Sequence, residues 1–208
     1  MNIIREACVG SVEQAMIAEK RKADRVELCS RLDLDGLTPD RKIIERTMNL
    51  LSIPVKVMIR PKSGNFIYSK QDILKMESEI DFCKKIGVSE VVFGILNENS
   101  EVDIENTNAI AKKATPMDIT FHKAIDHVSD IERNLERLSD VKEITSILTS
   151  GGKDSALNGQ DIIKDIIKQF SSRFNIIAAG GITDENLNLV HSCIVGTEYH
   201  GKRIVGQL

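Results

Sequence analysis

The sequence predicts a single (β/α)8 barrel of the TIM type over residues 1–208, with its last helix missing or very short. Three observations predict it. Short runs rich in Ile, Val and Phe alternate with stretches of helical periodicity; eight such runs occur; and polar residues recur at alternate positions within them. Strict alternation implies parallel strands with right-handed crossovers, and eight of them close naturally into a barrel. A doubly wound open sheet is the alternative, but its strands should read as nearly continuous apolar runs.

The first strand is expected over Asn2–Cys8 and the second over Arg25–Cys29. In Leu37-Thr38-Pro39-Asp40, Thr38 reads as a helix N-cap and Pro39 as the first helical residue, where its missing N–H costs nothing. The third strand is expected over Val55–Arg60. Ile73, Met76, Ile80 and Cys83 then follow the 3-4-3 spacing of a helix face, and Gly87 marks its stop. Glu90–Leu96 and Asp118–Ala124 read as the fourth and fifth strands. Ile131, Leu135 and Leu138 mark the next helix, and Ile144–Ser150 the sixth strand. Ala156, Ile163, Ile166 and Phe170 form a later helix face. Phe174–Ala179 and Cys193–Tyr199 complete the strand set. Little chain follows His200, which leaves a seam in the helix layer for another subunit to cover.

Composition narrows the function. Lys and Arg number 28 against 31 Asp and Glu, so no basic excess is available to hold nucleic acid. Aromatic residues make up only 4%, with no Trp, which disfavours base stacking. No apolar run approaches membrane-spanning length, and Arg5 and Glu6 interrupt the stretch where a signal peptide would be apolar. A cytoplasmic protein is expected. The four cysteines lie far apart without a CxxC pair, against a disulfide scaffold or zinc knuckle.

Residues two apart in a strand share a face. Glu6 pairs in this way with Cys8, Glu27 with Cys29, Met58 with Arg60, Thr120 with His122, and Glu198 with His200. Five strands thus bring chemistry to their C-terminal halves, the functional end of a barrel. Glu6, Glu27, Arg60, His122, Glu198 and His200 are expected to converge on one pocket, with Arg60 as counter-ion to the carboxylates. The bland reading is that each charge sits at a strand end and faces solvent. As catalytic candidates, Glu27, His122 and Glu198 would move protons while Arg60 clamps an anion. Gly151-Gly152 and Gly180-Gly181 follow the sixth and seventh strands, where backbone N–H groups can approach an anion closely; the plain reading is a tight turn. Cys8 and Cys29 lie on neighbouring strands. Two thiolates there suit a soft ion, Cu(I), although a buried Cys also serves as a small hydrophobe.

Several strings resemble the CutC family. They are Glu6-Ala7-Cys8, Arg25-Val26-Glu27-Leu28-Cys29, Gly36-Leu37-Thr38-Pro39 and Met58-Ile59-Arg60-Pro61. Val92-Phe93-Gly94-Ile95-Leu96, Thr120-Phe121-His122-Lys123-Ala124-Ile125-Asp126 and Leu148-Thr149-Ser150-Gly151-Gly152 follow in order, and Glu198-Tyr199-His200 extends the match. The resemblance implies a TIM-like barrel, a cytoplasmic location, a homo-oligomer and a role in copper handling. It also brings Asp126 into the candidate cluster. Asp35 stands where a second Gly is usual, and Lys62 and Lys123 where Arg is common, losing its bidentate fork. Two functions are carried forward: a copper-associated protein binding Cu(I), and an enzyme working by acid/base chemistry on a small anionic or phosphorylated metabolite. A scaffold whose mouth binds a partner is the third.

Overall fold

The structure, a computed structural model, describes residues 3–208. Eight strands form a closed barrel in sequence order: β1 (Ile4–Val9), β2 (Arg25–Leu28), β3 (Val55–Met58), β4 (Glu90–Phe93), β5 (Asp118–Phe121), β6 (Ile144–Thr149), β7 (Asn175–Ala178) and β8 (Glu198–Gly201). Every pairing is parallel, and β8 returns to β1 with Ile4 opposite Glu198 and Glu6 opposite His200. Seven α-helices cross over between them: α1 (Val12–Lys20), α2 (Arg41–Leu50), α3 (Lys70–Lys85), α4 (Ile104–Ala114), α5 (Ile131–Leu138), α6 (Gln160–Phe170) and α7 (Leu187–Ile194). Asn2, placed in the first strand by its sequence, lies outside the described residues.

Strand alternation divides the apolar residues into two populations. Ala7, Val9, Val26 and Leu28 face outward and join the main core with helix residues such as Ala15, Ile44 and Ile80. Inside the barrel, Cys8, Cys29, Met58 and Val92 form one small cluster, and Leu148, Ile177 and Ala179 another. The polar positions of the strand pattern therefore line the interior, as alternation requires.

Local chemistry sets the helix ends. Ser69 caps α3 and exchanges hydrogen bonds with Asp72 in a capping box; Gly87, at φ +82°, ends the same helix. The start of α2 differs from expectation. Its cap is Asp40, whose carboxylate accepts the Lys42 N–H. Thr38 is committed elsewhere, exchanging bonds with the Arg60 backbone and so tying the β2–α2 loop to the end of β3. The strand expected over Cys193–Tyr199 is also corrected. Cys193 belongs to α7, Val195 ends that helix in the left-handed region at φ 57°, and β8 begins only at Glu198.

Among the described residues, no helix follows β8. The seam is nevertheless filled. Tyr199 is fully buried, and its hydroxyl reaches His191 of α7 and the Gly196 backbone. Ile204 and Val205 fold back as buried residues. None of the described helices is long and apolar enough to cross a membrane.

Candidate functional site

Two polar levels occupy the barrel interior. The deeper one centres on Lys56, which is 1% exposed. Its ammonium lies 3.0 Å from Glu6, 2.6 Å from Glu90 and 3.0 Å from the Thr120 hydroxyl. Arg25 contacts both Glu6 and Glu198 from below. Burial pushes the Glu6 carboxyl up, but Lys56, His200 and Arg25 together hold it well below the usual carboxylate range. The counter-ions of the strand carboxylates are thus Lys56 and Arg25, not Arg60.

The upper level begins at His200, whose Nδ1 lies 2.7 Å from Glu6 and whose Nε2 lies 3.8 Å from Glu27. Glu27 is the meeting point. The Cys8 and Cys29 thiols both reach its Oε2, at 3.6 and 3.4 Å. One ligand atom each from Cys8, Glu27 and Cys29 fall within 4.8 Å of one another, and the same is true of Glu6, Glu27 and His200. Burial pushes the Glu27 carboxyl up to about 8; His200 opposes this, while Cys8 and Glu6 add to it. The Cys29 thiol beside it draws Cys8 well below the usual thiol range, against burial and with help from His200. Cys29 is correspondingly held well above that range by Cys8 and by burial. Burial alone would lower His200, but Glu27, Cys8 and Glu6 raise it well above the ordinary imidazole value.

A cavity of about 470 Å³ opens over this level at the C-terminal mouth. Cys8, Glu27, Arg60, His122, His200 and the Gly180-Gly181 turn all line it. Glu6 and Glu198 do not. They lie in the deeper level because they occur earlier on their strands, so the expected convergence on one pocket is corrected for these two. Gly151-Gly152 stands apart as well. The Asp126 carboxylate accepts the Ser150 and Gly152 N–H groups and both the Thr149 and Ser150 hydroxyls, so it supplies this loop with its own internal anion.

Among the described residues, Arg60 touches no carboxylate. Its guanidinium donates to the Leu34, Asp35, Gly36 and Gly64 carbonyls and stacks 4.6 Å above the Phe66 ring. Phe66 in turn lies 5.0 Å from the His122 ring. His122 follows β5 directly, and its Nδ1 accepts the Ala124 N–H. Nε2 must therefore carry the proton. Burial, aided by Arg60, pushes this imidazole down to about 3, so it stays neutral. Gly94 makes room for it: a Cβ there would meet His122 Nδ1 at 2.6 Å and the Ala124 Cβ at 2.9 Å. Gly94→Ala should cost about 1–3 kcal/mol through overpacking, measured by urea unfolding. His122→Ala in the same background should recover part of that loss.

Alternation applied only to the upper strand halves misses Lys56 and Arg25. Yet Lys56 stands two before Met58, and Arg25 two before Glu27, so the same rule places both inside. Phe66, Lys202 and Arg203 arrive on loops, where no periodicity points to them.

The comparisons agree with this geometry. The sequence pattern of the CutC family matches residues 3–205. The chain belongs to the CutC family. A human copper homeostasis protein cutC homolog is 40% identical over 197 residues, covering 95% of this chain and 72% of the relative. A CutC family protein of Glaesserella parasuis serovar 5 is 37% identical, covering 89% and 76%. The crystal structure of CutC from Streptococcus agalactiae superimposes with a TM-score of 0.92 at 29% identity, covering 97% of this chain and 99% of that one. A dihydrodipicolinate synthase from Bacillus anthracis, 12% identical with a TM-score of 0.69 over 97% of this chain and 70% of its own, shares the barrel fold alone.

Proposed function

We propose that this member of the CutC family takes part in copper homeostasis by binding Cu(I) through Cys8 and Cys29 at the floor of the mouth. The observation that carries the reading is the convergence of two buried thiols on a single carboxylate oxygen below an open cavity. Thiolates select Cu(I) over hard ions, and two are enough for this ion. Binding expels the thiol protons. The cationic His200 then offsets the negative bis-thiolate centre, and a protonated Glu27 adds no further charge. All four cysteines are free, which suits a reducing compartment such as the cytoplasm.

The test is titration of Cu(I) against a competing chelator under anaerobic, reducing conditions. One tightly held ion per chain is expected, with Mg2+ unable to compete. The Cys8→Ser/Cys29→Ser double variant should lose it; equal stoichiometry in both proteins would refute the site. The homo-oligomer implied by the resemblance is tested by light scattering on the same samples.

The unpartnered, buried Oε1 of Glu27 favours a second reading. A carboxyl with an affinity for protons near neutral pH, facing a cavity, suits acid/base chemistry on a small metabolite.

A further inference from the structure

Buried polar groups are almost always hydrogen-bonded, so exceptions point to something. Among the described residues, five buried side-chain polar atoms have no partner. Three of them, Glu27 Oε1, Arg60 Nε and His122 Nε2, belong to residues that line the one mouth cavity. Arg60 and His122 are 4% and 3% exposed. Their free atoms are both donors, on side chains that flank the Phe66 ring.

We propose that this wall of the cavity binds the phosphoryl group of a small phosphate monoester. Charge decides between oxyanions. Arg60 spends Nη1 and one Nη2 N–H on backbone carbonyls and shares its remaining donors with the neighbouring Tyr68 hydroxyl. A tetrahedral group with three outer oxygens can accept from two separately oriented N–H donors, one on Arg60 and one on His122. Both donors are fixed in kind. Arg60 keeps its charge, and the bond to Ala124 holds His122 as an Nε2–H donor. The surrounding field matches a dianion, since Lys123, Lys202 and Arg203 line the same cavity against Asp35 and Asp154. The Gly180-Gly181 turn, with φ of +104° and +68°, lines the same cavity without side chains. A cavity of about 470 Å³ leaves room beyond the phosphoryl group for a body of a few carbons reaching toward Glu27.

This inference goes beyond the copper reading and supplies a substrate class for the acid/base reading, on which its catalytic meaning rests. The test is calorimetric titration of the full chain with inorganic phosphate, and with acetate as the carboxylate arm. Saturable phosphate binding is expected, with acetate much weaker. His122→Phe keeps the ring beside Phe66 but removes the donor, and should weaken phosphate by about tenfold to a hundredfold. Should that variant fail to fold, 15N spectra of the wild-type protein give the same answer: phosphate should shift the His122 Nε2 signal, and acetate should not. Cys8→Ser/Cys29→Ser should bind phosphate normally, separating this site from copper. Glu27→Gln should also bind it, so that loss of chemistry and loss of phosphate are distinguishable. No phosphate binding, an unmoved Nε2 signal, a His122→Phe protein that binds phosphate as the wild type does, or acetate bound as tightly as phosphate would each overturn the proposal.

Discussion

Lys56→Met should destabilise the barrel by about 3–5 kcal/mol, more than any single change at the mouth. Among the described residues, the lysine is the only cation in contact with both Glu6 and Glu90, and its ammonium is fully satisfied by those two carboxylates and the Thr120 hydroxyl. Removing it leaves Glu6, itself 0% exposed, with Arg25 and His200 as remaining partners, and Glu90 facing an apolar side chain. Each loss is a desolvated charge without its nearest counter-ion, and low local dielectric makes that costly. Chemical unfolding near pH 7 measures it. Lys56→Met/Glu6→Gln should be less damaging than the sum of its parts, because the neutral amide no longer needs the ammonium. Lys56→Arg should fail to restore stability, since a planar fork does not fit a site built around one compact charge. A loss below about 1 kcal/mol would show that Arg25 alone neutralises the barrel floor.

That network marks the boundary of what the sequence discloses. The barrel is legible because strand and helix periods differ and repeat eight times, and the inward set is legible because alternation has only two faces. Cys8, Glu27, Cys29 and His200 follow from that rule, and the structure brings them together. What alternation leaves open is depth along the barrel axis. Glu198 and His200 share a face, yet one meets Arg25 at the floor and the other Glu27 at the mouth. Charge pairing is a second gap. Arg60 reads as a counter-ion because it is the cation nearest the carboxylates in the pattern, but the chain turns sharply after β3 and four carbonyls claim its guanidinium. Asp126 enters the candidate cluster through the family resemblance, whereas its role is fixed by a loop that folds onto it from β6.

Stability of the metal-free protein should peak in mildly acidic solution and fall as pH rises toward 8, the reverse of a protein held by ordinary surface carboxylates. The sign follows from the proton count in each state. Glu6 is depressed in the folded protein, so its contribution is present above the unfolded value and is lost as pH falls through the folded one. That sets the acid limb. Glu27 is raised to about 8, so between its unfolded value near 4.5 and about 8 the folded state holds a proton that the unfolded chain has released. Glu27 by itself therefore lowers stability across that window, by about 1.4 kcal/mol per pH unit for one full proton, while the depressed Cys8 thiol works in the opposite direction. His200 acts in the same direction as Glu27. It is raised by its acidic and thiolate neighbours, so its contribution is complete below its unfolded value near 6.5 and fades as pH climbs through the folded one. Glu27→Gln removes the first of these effects and keeps the shape of the side chain. The variant should match the wild type near pH 5, exceed it by several kcal/mol at pH 8, and show a flatter profile between. A variant whose slope is unchanged would mean that Glu27 is ionised in the folded barrel. His200 would then be its structural salt-bridge partner, and the proton-holding role of the carboxyl beneath the cavity would fall with it.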